Sequence, residues 1–157
     1  MSSSISEYRA TIVWQRAGET FTDNKYSRLH EWRFDDGTVV AATASPHIVP
    51  PPHSDGRRVD PEEAFVAALS SCHMLFFLSF AARQGLLIDR YTDQAMGILA
   101  DRGDGKLAMT EVTLQPAVTL ANSAAGSDEM INSLHHAAHE HCFIASSVNT
   151  RISIQPR

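Results

Sequence analysis

The 157-residue chain has only two cysteines, Cys72 and Cys142, and it lacks any excess of positive charge. Two cysteines cannot build a disulfide scaffold, and a reducing compartment disfavours a static cross-link, so a pairing between them would indicate redox chemistry. The net charge is −5, and no basic cluster is longer than Arg57 and Arg58. Nucleic acid and anionic membrane surfaces are therefore not expected as partners.

The sequence also lacks a recognisable secretory signal, since the first ten residues contain no basic segment followed by an apolar run. We therefore expect a cytoplasmic protein. One apolar run, residues 64–82, approaches the length of a membrane span, but it contains three serines and His73 and follows two glutamates. A helix that is apolar all round is more typical of the centre of a soluble core, so no membrane partner is expected.

The composition, with 43% apolar and 20% charged residues, is that of one globular domain, predicted over residues 1–157. Periodicity predicts three strands, a long helix, two strands, a second helix and a last strand, which is an α+β order. The elements expected are a three-stranded meander turning at Asp36, a helix from Pro61 to about Gln84, a hairpin at residues 101–106, a helix from Ser127 to about Cys142, and a strand over 148–154.

Both cysteines fall on predicted helices, Cys72 in the middle of the first and Cys142 at the end of the second. A free cysteine commonly acts as a small buried apolar residue, and a thiol in an apolar wall has a raised pKa and is inert. Reactivity requires a nearby cation, and a disulfide requires Cα atoms about 4.4 to 6.8 Å apart. The residues alone leave a structural and a reactive role open.

The segment "VDPEEAFVAALSSCHMLFFLSFAARQG", residues 59–85, resembles the central helix of the OsmC/Ohr family of thiol peroxidases. In that family a proline and a glutamate open the helix, and the reactive cysteine lies ten residues beyond the glutamate, as Cys72 lies beyond Glu62. The second family cysteine lies near the end of a late helix, as Cys142 does, although the usual Cys-Pro-Val is here Cys-Phe-Ile. The resemblance extends from about Tyr8 to Ile154 and indicates a divergent OsmC-like branch.

The resemblance implies an OsmC-like fold, in which antiparallel sheets pack around a long apolar central helix, and an intertwined homodimer with active sites at the subunit interface. It implies a peroxidase in which Cys72 attacks a small organic hydroperoxide and the resulting sulfenic acid condenses with Cys142 to form a disulfide. The expected reductant is an external dithiol of the lipoyl type, and no bound cofactor is expected.

The same resemblance implies that an arginine holds the reactive thiolate and that Glu62 holds this arginine. Arg28 is the preferred candidate, and Arg57 and Arg58 are the alternatives. Ten residues of helix span about 15 Å, so Glu62 and Cys72 of one chain cannot both touch the same arginine. If both serve one site, two chains build it, in agreement with a homodimer. The residues from Met74 to Phe80 are expected to be core, and those nearest the sulfur could favour organic peroxides.

Histidines offer a competing prediction, because four of the eight occur in "HHAAHEHC", residues 135–142. His135, His139 and Cys142 are spaced i, i+4 and i+7, so one helix face could present two imidazoles and a thiolate to a divalent ion. The competing function is an OsmC-like dimeric protein that binds an apolar ligand or a metal and has no peroxidase turnover. The simpler interpretation places His135, His136 and His139 on the exposed side of the helix.

Overall fold

The computed structural model describes residues 4–122 and 126–157, so residues 1–3 and 123–125 of the predicted domain lie outside the described residues. The described chain forms two compact units, one ending at Pro61 and the other beginning at Glu62. The order of strands and helices is α+β, as the periodicity predicts.

The first unit is an antiparallel meander of three strands, β1, β2 and β3, which confirms the prediction for this part of the chain. The tight turn between β2 and β3 contains Asp36, whose carboxylate accepts a hydrogen bond of 2.9 Å from the backbone N–H of Thr38. Gly37 has a φ of +91°, which a residue with a side chain rarely adopts. The strands are Ala10–Val13, His30–Phe34 and Val39–Ala42.

The proline-rich loop that follows is tied back to the end of β3. Thr43 is fully buried, and its hydroxyl accepts a hydrogen bond of 3.1 Å from the backbone N–H of Asp55. Its own N–H donates to the carbonyl of Val59 at 3.0 Å, while the N–H of Val59 donates to the carbonyl of Ala41. The prolines prevent this loop from forming a regular strand, and these bonds supply partners for backbone groups that a strand would otherwise have paired.

The long helix, α1, is Pro61–Arg83, within one residue of the predicted end. Glutamates occupy its first turn and an arginine its last, in agreement with the helix dipole. One stripe at four-residue spacing is buried, namely Leu69, His73, Phe77 and Ala81. By length and composition alone α1 could cross a membrane, a test that core helices also pass, and only 22% of its most apolar window is buried. Among the described residues, the other positions of α1 are half-buried or exposed.

The later strands differ from the prediction, because each of the two expected strands is divided in two. Asp93 explains the division: its Oδ1 accepts a hydrogen bond of 2.6 Å from the backbone N–H of Gln115, so a side chain replaces a strand partner where both strands break. The hairpin at residues 101–106 joins β5 to β6 as expected, whereas β4 pairs with β7 in a separate sheet. The strands are β4 Ile88–Asp93, β5 Met96–Asp101, β6 Leu107–Leu114 and β7 Pro116–Leu120.

The second helix, α2, is Asp128–His141 and begins at the predicted cap, where the hydroxyl of Ser127 accepts a hydrogen bond from the N–H of Met130. The last strand, β8, is Arg151–Ile154 and starts three residues later than predicted, after a short 3₁₀ turn. It pairs with β6 in parallel, so the sheet order is β5-β6-β8.

The core of the second unit has two parts, both built on the buried stripe of α1. Phe77 and Ala81 pack with Leu134 and Ala138 of α2. Leu69 packs with buried side chains of β6, Val112 and Leu114. Helix α1 therefore lies against both α2 and the three-stranded sheet, and this packing brings the middle of α1 close to the last turn of α2.

Candidate active site

The two cysteine side chains meet where α1 and α2 pack together. Cys72 lies in the middle of α1 and is partly buried, whereas Cys142 directly follows α2 and is 1% exposed. Both are free thiols, and their side chains are close enough for Cys72 to raise the pKa of Cys142. The structure therefore brings together the two cysteines that the sequence analysis singled out.

The environment of Cys142 favours the protonated thiol. Burial and, next, the interaction with the side chain of Cys72 raise the pKa of Cys142 to about 11, although the N–H of Ala145, 3.4 Å from the sulfur, acts in the opposite direction. The carbonyl of Cys142 accepts hydrogen bonds from both the N–H and the hydroxyl of Ser146, so the backbone at this position is fixed. Cys72 is the less buried of the two cysteines.

Glu62 lies in the first turn of α1, ten residues before Cys72 on the same continuous helix. Its Oε2 is buried and has no hydrogen-bond partner among the described residues. A buried carboxylate oxygen without a hydrogen-bond donor destabilises the folded state, because the oxygen has lost its contacts with water. The described chain therefore leaves an acceptor site at Glu62 that a cation would satisfy.

Arg28 belongs to the first unit, where its guanidinium group has partners of its own. It lies over the ring of Tyr26, 3.6 Å from the ring centroid, and donates to the side-chain oxygen of Asn24 at 2.7 Å. It also donates to the carbonyls of Asn24 and Tyr26. The role of Arg28 toward the thiolate remains a prediction.

The two alternative arginines both engage Asp55 of the first unit. Arg57 has a 90% exposed side chain and contacts the carboxylate at 2.9 Å, and its hydrogen bonds lower the pKa of Asp55 to about 2. Arg58 lies 3.9 Å from the same carboxylate. Both therefore have an acidic partner within the first unit.

The placement of His135 on the exposed side of α2 is wrong, since this residue is 3% exposed. Its Nδ1 lies 3.0 Å from Nε2 of His73, which is 1% exposed, and the two rings are nearly parallel. Burial lowers the pKa of each to about 4, and for His73 the neighbouring imidazoles add to this effect. At neutral pH the two histidines form a buried, uncharged hydrogen-bonded pair.

The periodicity of α1 contained the signal that the sequence analysis missed. His73 lies four residues from both Leu69 and Phe77, on the buried stripe, and His135 lies next to the buried Leu134. His136, by contrast, is exposed, as predicted. No group of three or more metal-ligating side chains occurs within residues 4–122 and 126–157, so the described chain does not assemble the i, i+4, i+7 set into a metal site.

A family model described as OsmC-like protein matches residues 54–157. The fold is similar to that of an OsmC-like protein of unknown function from Vibrio cholerae, with 50% identity, a TM-score of 0.95, and coverage of 98% of this chain and 100% of that one. An organic hydroperoxide resistance protein from Legionella pneumophila is 15% identical, with a TM-score of 0.67 and coverage of 98% and 97%.

A third similar structure is the organic hydroperoxide resistance protein OhrB of Bacillus subtilis, which is 18% identical, with a TM-score of 0.63 and coverage of 98% of this chain and 100% of that one. At these lower identities the likeness concerns the fold. No curated protein matches the chain.

Proposed function

Because the chain belongs to the OsmC-like family, we propose that it is a thiol peroxidase that reduces organic hydroperoxides with electrons from an external dithiol. The observation that carries the proposal is the contact between the side chains of Cys72 and Cys142. Two similar structures named as organic hydroperoxide resistance proteins support the choice of substrate.

In the proposed reaction, the thiolate of Cys72 attacks the distal oxygen of the hydroperoxide, and the O–O bond breaks. The organic group leaves as an alkoxide that takes up a proton to become an alcohol, while Cys72 becomes a sulfenic acid. The sulfur of Cys142 then attacks the Cys72 sulfur, which releases water and forms a disulfide. An external dithiol of the lipoyl type restores both thiols by exchange, so no bound cofactor takes part.

The environments of the two thiols support this division of roles. A peroxide must reach the sulfur that it oxidises, and Cys72 is the less buried of the two cysteines. The raised pKa of Cys142 keeps it protonated at neutral pH, which suits a thiol that reacts only after the sulfenic acid has formed beside it. The cytosol is the proposed location, and its reducing conditions would keep both cysteines in the thiol form.

Arg28 and Glu62 complete the proposed site, with Arg28 holding the Cys72 thiolate and Glu62 holding Arg28 by a bidentate ion pair. The unpartnered, buried Oε2 of Glu62 supports a role as an acceptor for a cation. Because a straight helix separates Glu62 from Cys72 by about 15 Å, the glutamate and the thiol that serve one arginine come from two chains.

We therefore propose a homodimer with active sites at the interface, in which the partner chain covers the apolar surface of α1. Light scattering is expected to give twice the 17.2 kDa of one chain. Leu75, which is 60% exposed on α1, lies on the surface to be covered, so Leu75→Glu should raise the dimer dissociation constant by at least about tenfold. A wild-type monomer with full peroxidase activity would contradict the shared site.

Mass spectrometry tests the reaction directly. After one equivalent of an alkyl hydroperoxide, the intact chain should lose two hydrogens, and a non-reducing digest should contain one peptide pair linked through Cys72 and Cys142. The linkage should disappear after treatment with dihydrolipoamide. Consumption of peroxide without this linkage would refute the proposed role of Cys142, and an unoxidised protein would refute the peroxidase itself.

A further inference from the structure

A cavity of about 600 Å³ lies in the second unit between α2 and the strand β7. This volume is typical of small-molecule sites, which occupy about 300 to 1,000 Å³. One face of α2 lines the cavity over about 10 Å, from Asp128 to His135. Three half-buried side chains form its apolar walls, namely Val118, Leu120 and Ile131.

The cavity has two different ends. At one end the start of α2 lies beside the end of β7, because a Cβ atom added to Gly126 would lie 2.9 Å from Cδ1 of Leu120. At the other end Arg157 lies beside the start of β7, since its backbone N–H donates to the carbonyl of Pro116 at 2.9 Å. Of the α2 residues in the lining, His135 is the farthest from Gly126 along the helix. His135 and Arg157 therefore lie toward the same end.

His135 brings an unpartnered polar atom to this end of the cavity. It is 3% exposed, and its ring lies 6.3 Å from that of Tyr91, whose strand partner is Val118 of β7. Its Nδ1 bonds to Nε2 of His73, but its own Nε2 is buried and has no hydrogen-bond partner among the described residues. Such a nitrogen destabilises the folded state until a ligand pairs with it. When His73 donates the shared proton, Nε2 of His135 carries a proton and can donate it.

Arg157 brings a positive charge to the same end. Its guanidinium group donates to the side-chain oxygens of Gln94, at 2.9 Å, and of Gln115. Both acceptors are neutral, so they orient the planar group without compensating its charge. The remaining N–H groups are free to bind a carboxylate, the anion whose two oxygens match the geometry of a guanidinium group. Asp128 also lines the cavity, but it lies at the far end, at the start of α2.

We propose that this cavity binds a small carboxylic acid with an apolar body. The carboxylate accepts hydrogen bonds from the guanidinium group of Arg157 and from Nε2 of His135. The body packs against the apolar walls, and the ligand supplies the acceptor that the buried imidazole lacks. Neither cysteine is among the described residues of the lining, so this binding is independent of the proposed peroxidase reaction.

Isothermal titration calorimetry with benzoate, 4-phenylbutyrate and octanoate tests the site in the reduced protein, without peroxide. At least one acid should bind saturably, with one molecule per chain, and its amide should bind at least about tenfold more weakly because it has no charge for Arg157. Arg157→Gln should cause a similar loss. Arg102→Gln removes an exposed cation on another turn and should leave the affinity unchanged. Absence of saturable binding by all three acids, or an unchanged affinity in Arg157→Gln, would overturn the proposal.

Nitrogen-15 spectroscopy of the imidazoles locates the bound acid. Nε2 of His135 should shift toward the position of a protonated ring nitrogen as the acid saturates, because the carboxylate favours the tautomer that donates to it. The exposed His136 should not respond. The double variant His73→Leu and His135→Phe keeps an apolar contact between α1 and α2, and its affinity should fall by about fivefold to tenfold through loss of the second donor. Saturable binding without a change at His135 would place the acid elsewhere and refute the site.

Discussion

Cys72→Ser is expected to abolish the reduction of organic hydroperoxides, lowering kcat/KM by about 10³-fold or more. The sulfur of Cys72 is the atom that the peroxide oxidises in the proposed reaction, and a serine hydroxyl neither ionises near neutral pH nor accepts an oxygen atom. Serine differs from cysteine by one atom, so the packing of α1 against α2 should change little. The loss can be measured by following hydroperoxide consumption with dihydrolipoamide as the reductant.

Cys142→Ser is the matched control, because it changes the other member of the same contact. This variant should consume one equivalent of hydroperoxide and then stop, with a sulfenic acid on Cys72 that a dimedone adduct reveals by mass spectrometry. If Cys142→Ser lost all reactivity while Cys72→Ser kept it, the assignment of the two roles would be reversed. If both variants kept full turnover, the thiols would be structural residues of the core.

The prediction that the two cysteines pair follows from the family resemblance. Helix periodicity agrees with it, because an apolar helix and an amphipathic helix must bury their stripes and both cysteines lie near those stripes. The division of the later strands does not follow in this way. It depends on a hydrogen bond between Asp93 and Gln115, residues 22 positions apart, and hydrophobic periodicity carries no information about such a bond.

The error at His135 has a different origin. A histidine next to several other histidines near a helix end suggests an exposed polar face, and the helix dipole favours a cation there. His135 nevertheless lies beside the buried Leu134, and burial becomes acceptable because His73 supplies a hydrogen-bond partner from another helix. The sequence cannot place Arg28 for a third reason. Its predicted partners, Cys72 and Glu62, belong to the second unit and, in the proposed dimer, to two chains.

The buried histidine pair should make the folded state sensitive to acid. The pKa values of His73 and His135 are lowered from 6.5 to about 4, so between these pH values the unfolded chain binds more protons than the folded one. Stability is therefore complete above about pH 6.5 and is lost as the pH falls through 4.

Urea unfolding followed by circular dichroism between pH 7.5 and 4 measures this loss as a falling transition midpoint. The groups that act on His73 include Asp93, which favours its protonation, and His139, which opposes it. The double variant His73→Leu and His135→Phe removes both buried imidazoles and keeps an apolar contact between α1 and α2. Its stability should fall far less over the same range, whereas the exposed His136→Gln should behave like the wild type.

The double variant distinguishes the contribution of the His73–His135 pair to the acid sensitivity from that of all other titrating groups. Carboxylates that have ion-pair partners, such as Asp55 beside Arg57, also lose stabilising interactions in acid, but all variants retain them. If the double variant lost stability as steeply as the wild type, the acid sensitivity would arise from those carboxylates. If it became nearly independent of pH above 4, the uncharged state of the two imidazoles would be the condition under which α1 and α2 remain packed and hold the two thiols together.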